Sequence, residues 1–180
     1  MAETPSADVY HGTQSANLRS ILRHGVQPSE DEFRSGLESD LQEAASEHDL
    51  DFPVARQECV FFYPFKHQMS TFNWVTEEFE EPDAECDRRA AVVVDLEVVS
   101  GRVFTGEFDL FSDIIDFQFM DEPDDCMMSE SYSDALQQYA ESVTEVESME
   151  DLSEACAGFE RPEVLVEGGV SPGAISGWYV

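Results

Sequence analysis

Two short stretches at opposite ends of the chain carry the side chains best suited to chemistry. In the first, Val9-Tyr10-His11-Gly12-Thr13, an imidazole at a strand end precedes a glycine whose bare backbone a ligand can approach, and then a hydroxyl. Such donors and acceptors suit a ribose and an amide, so the stretch reads as a corner for a nucleotide. A strand turning into a helix past an incidental histidine would have the same letters. In the second stretch, Arg161-Pro162-Glu163-Val164-Leu165-Val166-Glu167-Gly168-Gly169, a glutamate opens an apolar strand. A carboxylate buried there costs free energy unless it has a partner or a task. Alone, it would be a surface glutamate at a strand edge.

Other constellations are missing. Cys59, Cys86, Cys126 and Cys156 include no Cys-x-x-Cys pair, so neither a zinc knuckle nor a thioredoxin motif is expected, and the thiols read as reduced and structural. His11, His24, His48 and His67 stand too far apart for a metal site, and no metal is expected. There is no Gly-x-Gly-x-x-Gly, no P-loop and no Gly-x-Ser-x-Gly elbow.

The elements that must position these residues follow from spacing. Asp8 to His11 reads as a strand entering a turn at Gly12-Thr13. Leu18, Ile21 and Leu22 form a helical stripe, with Thr13 or Ser15 as N-cap and Gly25 as a left-handed C-terminal cap. Leu37, Leu41, Ala44, Ala45 and His48 predict a second helix that ends before Pro53. Cys59 to Tyr63 and Ala90 to Leu96 read as strands, the second followed by Val98 to Phe104 after or across a bend. Ser133 to Val143 reads as a helix with Leu136, Tyr139, Ala140 and Val143 on one face. Glu163 to Val166 and Ile175 to Val180 are expected strands about a turn at Gly168-Gly169. Strands and helices mix without regular βαβ alternation, so an α+β fold is expected, as a single domain over residues 1–180 with acidic loops at 77–87 and 121–131.

Composition bounds the rest. A chain of 180 residues that is 42% hydrophobic, with thirteen Phe, can bury a core and is too apolar for a solvated tail. Its longest aliphatic run, Ala90 to Val94, is far short of a membrane span, and Met1 to Asp8 lacks the basic and apolar regions of a secretory signal. No membrane partner and a cytoplasmic location are therefore expected. Forty acidic against nine basic residues give a net charge of −31, spread from Glu30 to Glu167. Such a surface repels itself in dilute buffer, whereas molar salt shortens the screening length to about 3 Å. The pattern reads as adaptation to a salt-filled, halophilic cytoplasm; an acidic mimic of nucleic acid would need a contiguous stripe.

Taken together, the two stretches resemble the ends of the ADP-ribosyltransferase fold, in its histidine-containing class. The resemblance is carried by Tyr10-His11-Gly12-Thr13 with the following Asn17-Leu18-x-Ser20-Ile21-Leu22 helix and Gly25-Val26, and by Pro162-Glu163-Val164-Leu165-Val166. Arg56 and Val60-Phe61-Phe62-Tyr63 are similar to the arginine and aromatic second strand of DarT-type DNA ADP-ribosyltransferases. About thirty positions carry the pattern.

The resemblance implies a split β-sheet core with flanking helices and NAD as substrate. His11 would bond an adenosine-ribose hydroxyl, the Gly12 backbone would hold the nicotinamide carboxamide, and Thr13 would brace the loop. Glu163 would be the catalytic glutamate, holding the 2′-hydroxyl of the nicotinamide ribose and stabilising positive charge as the glycosidic bond breaks. Tyr63, in preference to Phe72, would stack on nicotinamide, and Arg56 would neutralise the pyrophosphate or orient the acceptor. The partner would be a protein or nucleic-acid acceptor, with an antitoxin or a hydrolase as a further partner. As a solvated cleft carboxylate, Glu163 would contribute little to stability.

The pattern has departures. The Glu-x-Glu of arginine-modifying enzymes is missing, since Glu160 stands three residues before Glu163, and the Pro-Met-Leu-Tyr stretch of the DarT type is replaced by Lys66-His67-Gln68-Met69-Ser70-Thr71. RNA 2′-phosphotransferases share a Tyr-His-Gly-Thr-like start, but their Arg-x-His-Val-His-Leu is here Arg56-Gln57-Glu58-Cys59-Val60-Phe61. That activity, and a non-catalytic interaction protein on the same fold, are the alternatives.

Overall fold

Strand β1 (Asp8–Gln14) runs straight through Gly12 and Thr13, where a turn was expected, because all seven of its residues pair with β3 (Arg89–Asp95). The computed structural model describes residues 6–29, 32–71, 89–119 and 129–179. Phe72, Cys86, Cys126, the acidic stretch at 77–87 and all but the last three residues of that at 121–131 lie outside them.

Helix α1 (Ser15–His24) follows directly, with Gln14 at the cap position and no side-chain cap bond, so neither Thr13 nor Ser15 caps it. It buries Leu18 and half-buries Ile21, while Leu22, expected on the same stripe, is exposed. Gly25 ends it with φ of +83°, and a Cβ there would lie 1.9 Å from the carbonyl oxygen of Val170. Only glycine meets both conditions, and this lets Val26 and Val170 exchange backbone hydrogen bonds of 2.9 and 2.8 Å. Helix α2 (Glu32–Glu47) buries the predicted Leu37, Leu41, Ala44 and Ala45, with His48 exposed beyond its end.

The remaining elements are β2 (Cys59–Phe62), α3 (Lys66–Thr71), β4 (Val103–Glu107), α4 (Phe108–Phe119), α5 (Tyr132–Ser142), β5 (Thr144–Val146), α6 (Met149–Cys156), β6 (Pro162–Glu167) and β7 (Ile175–Tyr179). Three-residue 3-10 turns precede β2 and β7 and follow β3. The fold is α+β, with two antiparallel sheets of order β1-β3-β7 and β2-β6-β4-β5. They touch where Tyr10 and Tyr63 exchange backbone bonds of 2.9 and 2.8 Å, extending β2 by one residue toward β1. Helices α3, α4 and α6 were not foreseen. In α6, Ser148 caps by accepting from the amide of Asp151, a Ser-x-x-Asp signal present in the sequence.

Strands β2, β6 and β4 of the four-stranded sheet are packed on both faces, while β5 at its edge is largely exposed. Leu165 and Phe104 join Leu41, Ile114, Leu136 and Tyr139 on the face covered by α2, α4 and α5. Val164, Val166, Val60 and Phe62 join Val9, Leu18, Val92 and Leu152 on the other. This two-sided burial explains why β6 reads as a continuous apolar run. Within that run, Glu163 shares the α4–α5 face with Leu165, two residues on.

Candidate active site

Glu163 sits opposite Gly106 of β4, and the glycine decides what covers it. A Cβ at Gly106 would lie 3.2 Å from Val143 Cγ2 and 3.6 Å from Tyr139 Cε2. Without one, α5 lies close against the sheet, and the ring of Tyr139 reaches over to the carboxylate. Arg56, in the 3-10 turn that leads into β2, approaches from the neighbouring strand.

The three side chains close one hydrogen-bonded unit. Arg56 Nη1 and Nη2 donate to Glu163 Oε1 and Oε2 at 2.6 and 2.9 Å, a bidentate fork. The Tyr139 hydroxyl donates to Glu163 Oε1 at 2.6 Å and accepts from Arg56 Nη1 at 2.5 Å. Glu163 is 0% exposed, and the Arg56 side chain 12%. The expected solvated cleft carboxylate is thus a buried, paired one, because the Gly106 gap lets α5 lie over it. Burial is the largest influence and works to lower the Arg56 guanidinium, but the charge and hydrogen bonds of Glu163, with Tyr139 and Cys59, together hold Arg56 above its usual value. Burial also pushes the Tyr139 phenol well above its ordinary range, with Glu163 adding to the shift, so the hydroxyl keeps its proton.

The backbone at Glu163 is fixed on both sides. Thr105 Oγ1 donates to the Glu163 carbonyl at 2.7 Å, and Gln68 Nε2 to that of Pro162 at 2.9 Å. The buried carboxylate of Glu107 accepts the amides of Glu160 and Arg161 at 2.7 and 3.0 Å, and Arg161 pairs with Asp109 at 2.6 Å. Burial raises the Asp109 carboxyl, partly offset by Arg161. These contacts hold the entry to β6 against the start of α4.

Beside the pair lies a cavity of about 340 Å³, walled by Leu37, Glu38 and Leu41 of α2, Arg56, Gln57, Cys59, Phe61, Leu165, and Phe108, Phe111 and Ile115 of α4. The Arg56 guanidinium lies 3.5 Å from the centroid of Phe111, and Phe61 stacks on Phe108 at 5.7 Å. An apolar aromatic chamber with a few charged groups at one wall is the usual composition of a small-molecule site. Cys59 also faces it, its thiol pushed up to about 12 by burial.

The predicted residues therefore fall into two groups. Arg56 and Glu163 meet directly, Arg56 in the cavity wall and Glu163 fully buried behind it. His11, Gly12 and Thr13 lie on β1 opposite Val92, Ala91 and Ala90, and do not line the cavity. His11 connects to it through one residue: its Nδ1 is 2.8 Å from the carbonyl of Phe61, whose ring forms part of the wall. A carbonyl only accepts, so Nδ1 carries the proton there. Tyr63 is buried, edge-on to Phe61 and Phe108 at 4.8 and 6.1 Å, so the aromatic faces at the cavity belong to Phe61, Phe108 and Phe111. Sequence reasoning missed Tyr139, 24 residues before Glu163, and the two α4 phenylalanines. Nothing in the local pattern separates Tyr139 from a core tyrosine, since it is also one.

Among the described residues no helix is long and apolar enough to cross a membrane, and no group of three His, Cys, Asp or Glu is arranged to hold a metal ion. No protein-family model matches the chain, and neither does any curated protein or solved structure.

Proposed function

We propose that the chain is an NAD-dependent mono-ADP-ribosyltransferase in which Glu163 is the catalytic carboxylate. The observation that carries this reading is the Arg56–Glu163 fork, in which Arg56 lines an aromatic cavity and Glu163 lies buried behind it. Breaking the bond between nicotinamide nitrogen and ribose C1′ leaves positive charge on the sugar. A carboxylate already fixed in place stabilises that charge without reorganisation during the reaction. The cavity, near the lower end of the roughly 300–1,000 Å³ typical of ligand sites, has room for the nicotinamide ring and its sugar but not for a whole dinucleotide. The adenosine half would extend toward β1, where His11 stands one residue's width away through Phe61.

The strand order supports the same reading. The two sheets abut through β1 and β2, the strands that carry His11 and follow Arg56, an arrangement compatible with a split-sheet core. Phe61, Phe108 and Phe111, whose rings line the cavity, would take the stacking role that the resemblance implies for Tyr63. The acceptor would be a protein or a nucleic acid.

The test is incubation with labelled NAD in molar KCl. Wild-type protein should release nicotinamide and pass label to an acceptor or to water, and Glu163→Gln should lower the rate by about 10²–10³, the scale for losing one preorganised electrostatic group. Folded wild-type protein that releases no nicotinamide at any salt concentration would refute the activity and favour a non-catalytic role.

A further inference from the structure

Two charged side chains line the cavity, and they are balanced differently. The Arg56 charge is neutralised by the Glu163 carboxylate behind it, at 2.6 and 2.9 Å. Glu38, on the α2 wall and 8% exposed, meets only neutral donors: Gln42 Nε2 donates to Oε1 at 2.8 Å and the backbone N–H of Gln57 to Oε2 at 3.4 Å. None of the ion pairs among the described residues includes it. The chamber therefore carries one uncompensated negative charge on walls that are otherwise mostly apolar. A carboxylate drawn out of water is costly until a cation meets it.

The remaining walls suit a flat organic cation better than a metal ion. Calcium or magnesium would require several oxygen ligands, and the lining supplies a single carboxylate. Phe61, Phe108 and Phe111 supply rings instead, and aromatic faces attract cations. One planar cation already lies on this wall, since the Arg56 guanidinium is 3.5 Å from the centroid of Phe111. We propose that the cavity is a site for a compact, flat organic cation, with Glu38 as its counter-ion. The inference rests on the proposed function in taking that cation to be the N-alkylpyridinium ring of oxidised NAD. The reduced dinucleotide and free nicotinamide, whose rings are neutral, would lack the attraction to Glu38. Glu38 is then a specificity-determining residue.

The experiment compares nicotinamide methylated at its ring nitrogen, a cation, with nicotinamide itself, each titrated into the protein and followed by ligand-observed NMR. Molar KCl is needed because a chain of net charge −31 would gather any cation in dilute buffer, whereas a contact pair inside a cavity is screened much less. The methylated ring should bind wild-type protein about tenfold more tightly than the neutral one. Glu38→Gln keeps an acceptor for Gln42, and the preference should fall to about threefold or less, the share of the aromatic rings. Glu47→Gln, the same charge change at an exposed position of α2 away from the cavity, should leave the preference intact. Equal affinity for the two probes in wild-type protein would overturn the assignment, as would no binding of the cation or a preference that Glu38→Gln leaves unchanged. Protein that holds the cation through Glu38 but never cleaves NAD would refute the proposed function and keep the cation site; protein that cleaves NAD without distinguishing the two rings would do the reverse.

Discussion

Replacing Glu163 by alanine tests how far the Arg56–Glu163 pair is removed from water. The change leaves a guanidinium, 12% exposed, with Phe111 against its face and no anion at its edge. Removing one partner of a buried ion pair costs about 3–5 kcal/mol. The cavity of about 340 Å³ beside Arg56 offers the stranded charge some hydration, which favours the lower end, about 3 kcal/mol. For a chain of 180 residues that corresponds to a fall in Tm of about 6–12 °C. The double variant Arg56→Met/Glu163→Leu removes both charges, and apolar replacement of a buried pair is often neutral or stabilising by about 1–4 kcal/mol. Against that stands the Tyr139 hydroxyl left without partners, about 1–3 kcal/mol, so the double variant should lie close to wild type and above the single one. Urea unfolding in molar KCl, followed by circular dichroism, measures all three proteins. A loss below about 1 kcal/mol in Glu163→Ala, the size of an exposed ion pair, would refute the idea that the carboxylate is desolvated and held ready. A double variant as unstable as the single one would refute the coupling of the two charges.

Thermal stability should rise as KCl increases from about 0.1 M to about 1 M, because the Debye length falls from about 10 to about 3 Å and the self-repulsion of a chain with net charge −31 is screened; a Tm that stays flat or falls would remove the halophilic reading of the surface. Alkaline pH should destabilise the protein. Burial raises Cys59 to about 12, Cys156 to about 11 and Tyr139 above its ordinary value in the folded state. A group whose folded pKa is raised stabilises fully below its unfolded pKa, about 9 for the thiols and 10 for the phenol, and that contribution is lost as pH climbs toward the folded value. Each such group should steepen the decline above pH 9 to 10 by up to about 1.4 kcal/mol per pH unit. Tyr139→Phe should lose its share of the slope, and an identical slope in that variant would show that the phenol titrates freely.

Local patterning of the chain determined most of its elements and the α+β class. The stripe of Leu37, Leu41, Ala44 and Ala45, the valine run at β3, the apolar β6 and the positive-φ glycines at 25, 168 and 169 all follow from periodicity and turn chemistry, which act over a few residues. Helix α4 escaped that reading because Asp109 and Asp113 interrupt its apolar residues. Both are buried, and Arg161 pairs with the first while the amide of Ser129 donates to the second, from 52 and 16 residues away in sequence. The turn expected at Gly12 failed for a related reason, since pairing with β3 overrides what glycine would permit locally. At the site, residue types marked Glu163 and His11 as candidates and the resemblance added Arg56, but spacing carries no information about burial. Tertiary structure alone decided that Glu163 and Arg56, 107 residues apart, share two hydrogen bonds, that Tyr139 completes them, and that three phenylalanines from β2 and α4 wall the adjoining cavity. A missing Cβ at Gly106 makes that arrangement possible, and its effect shows only when β4, β6 and α5 are packed together.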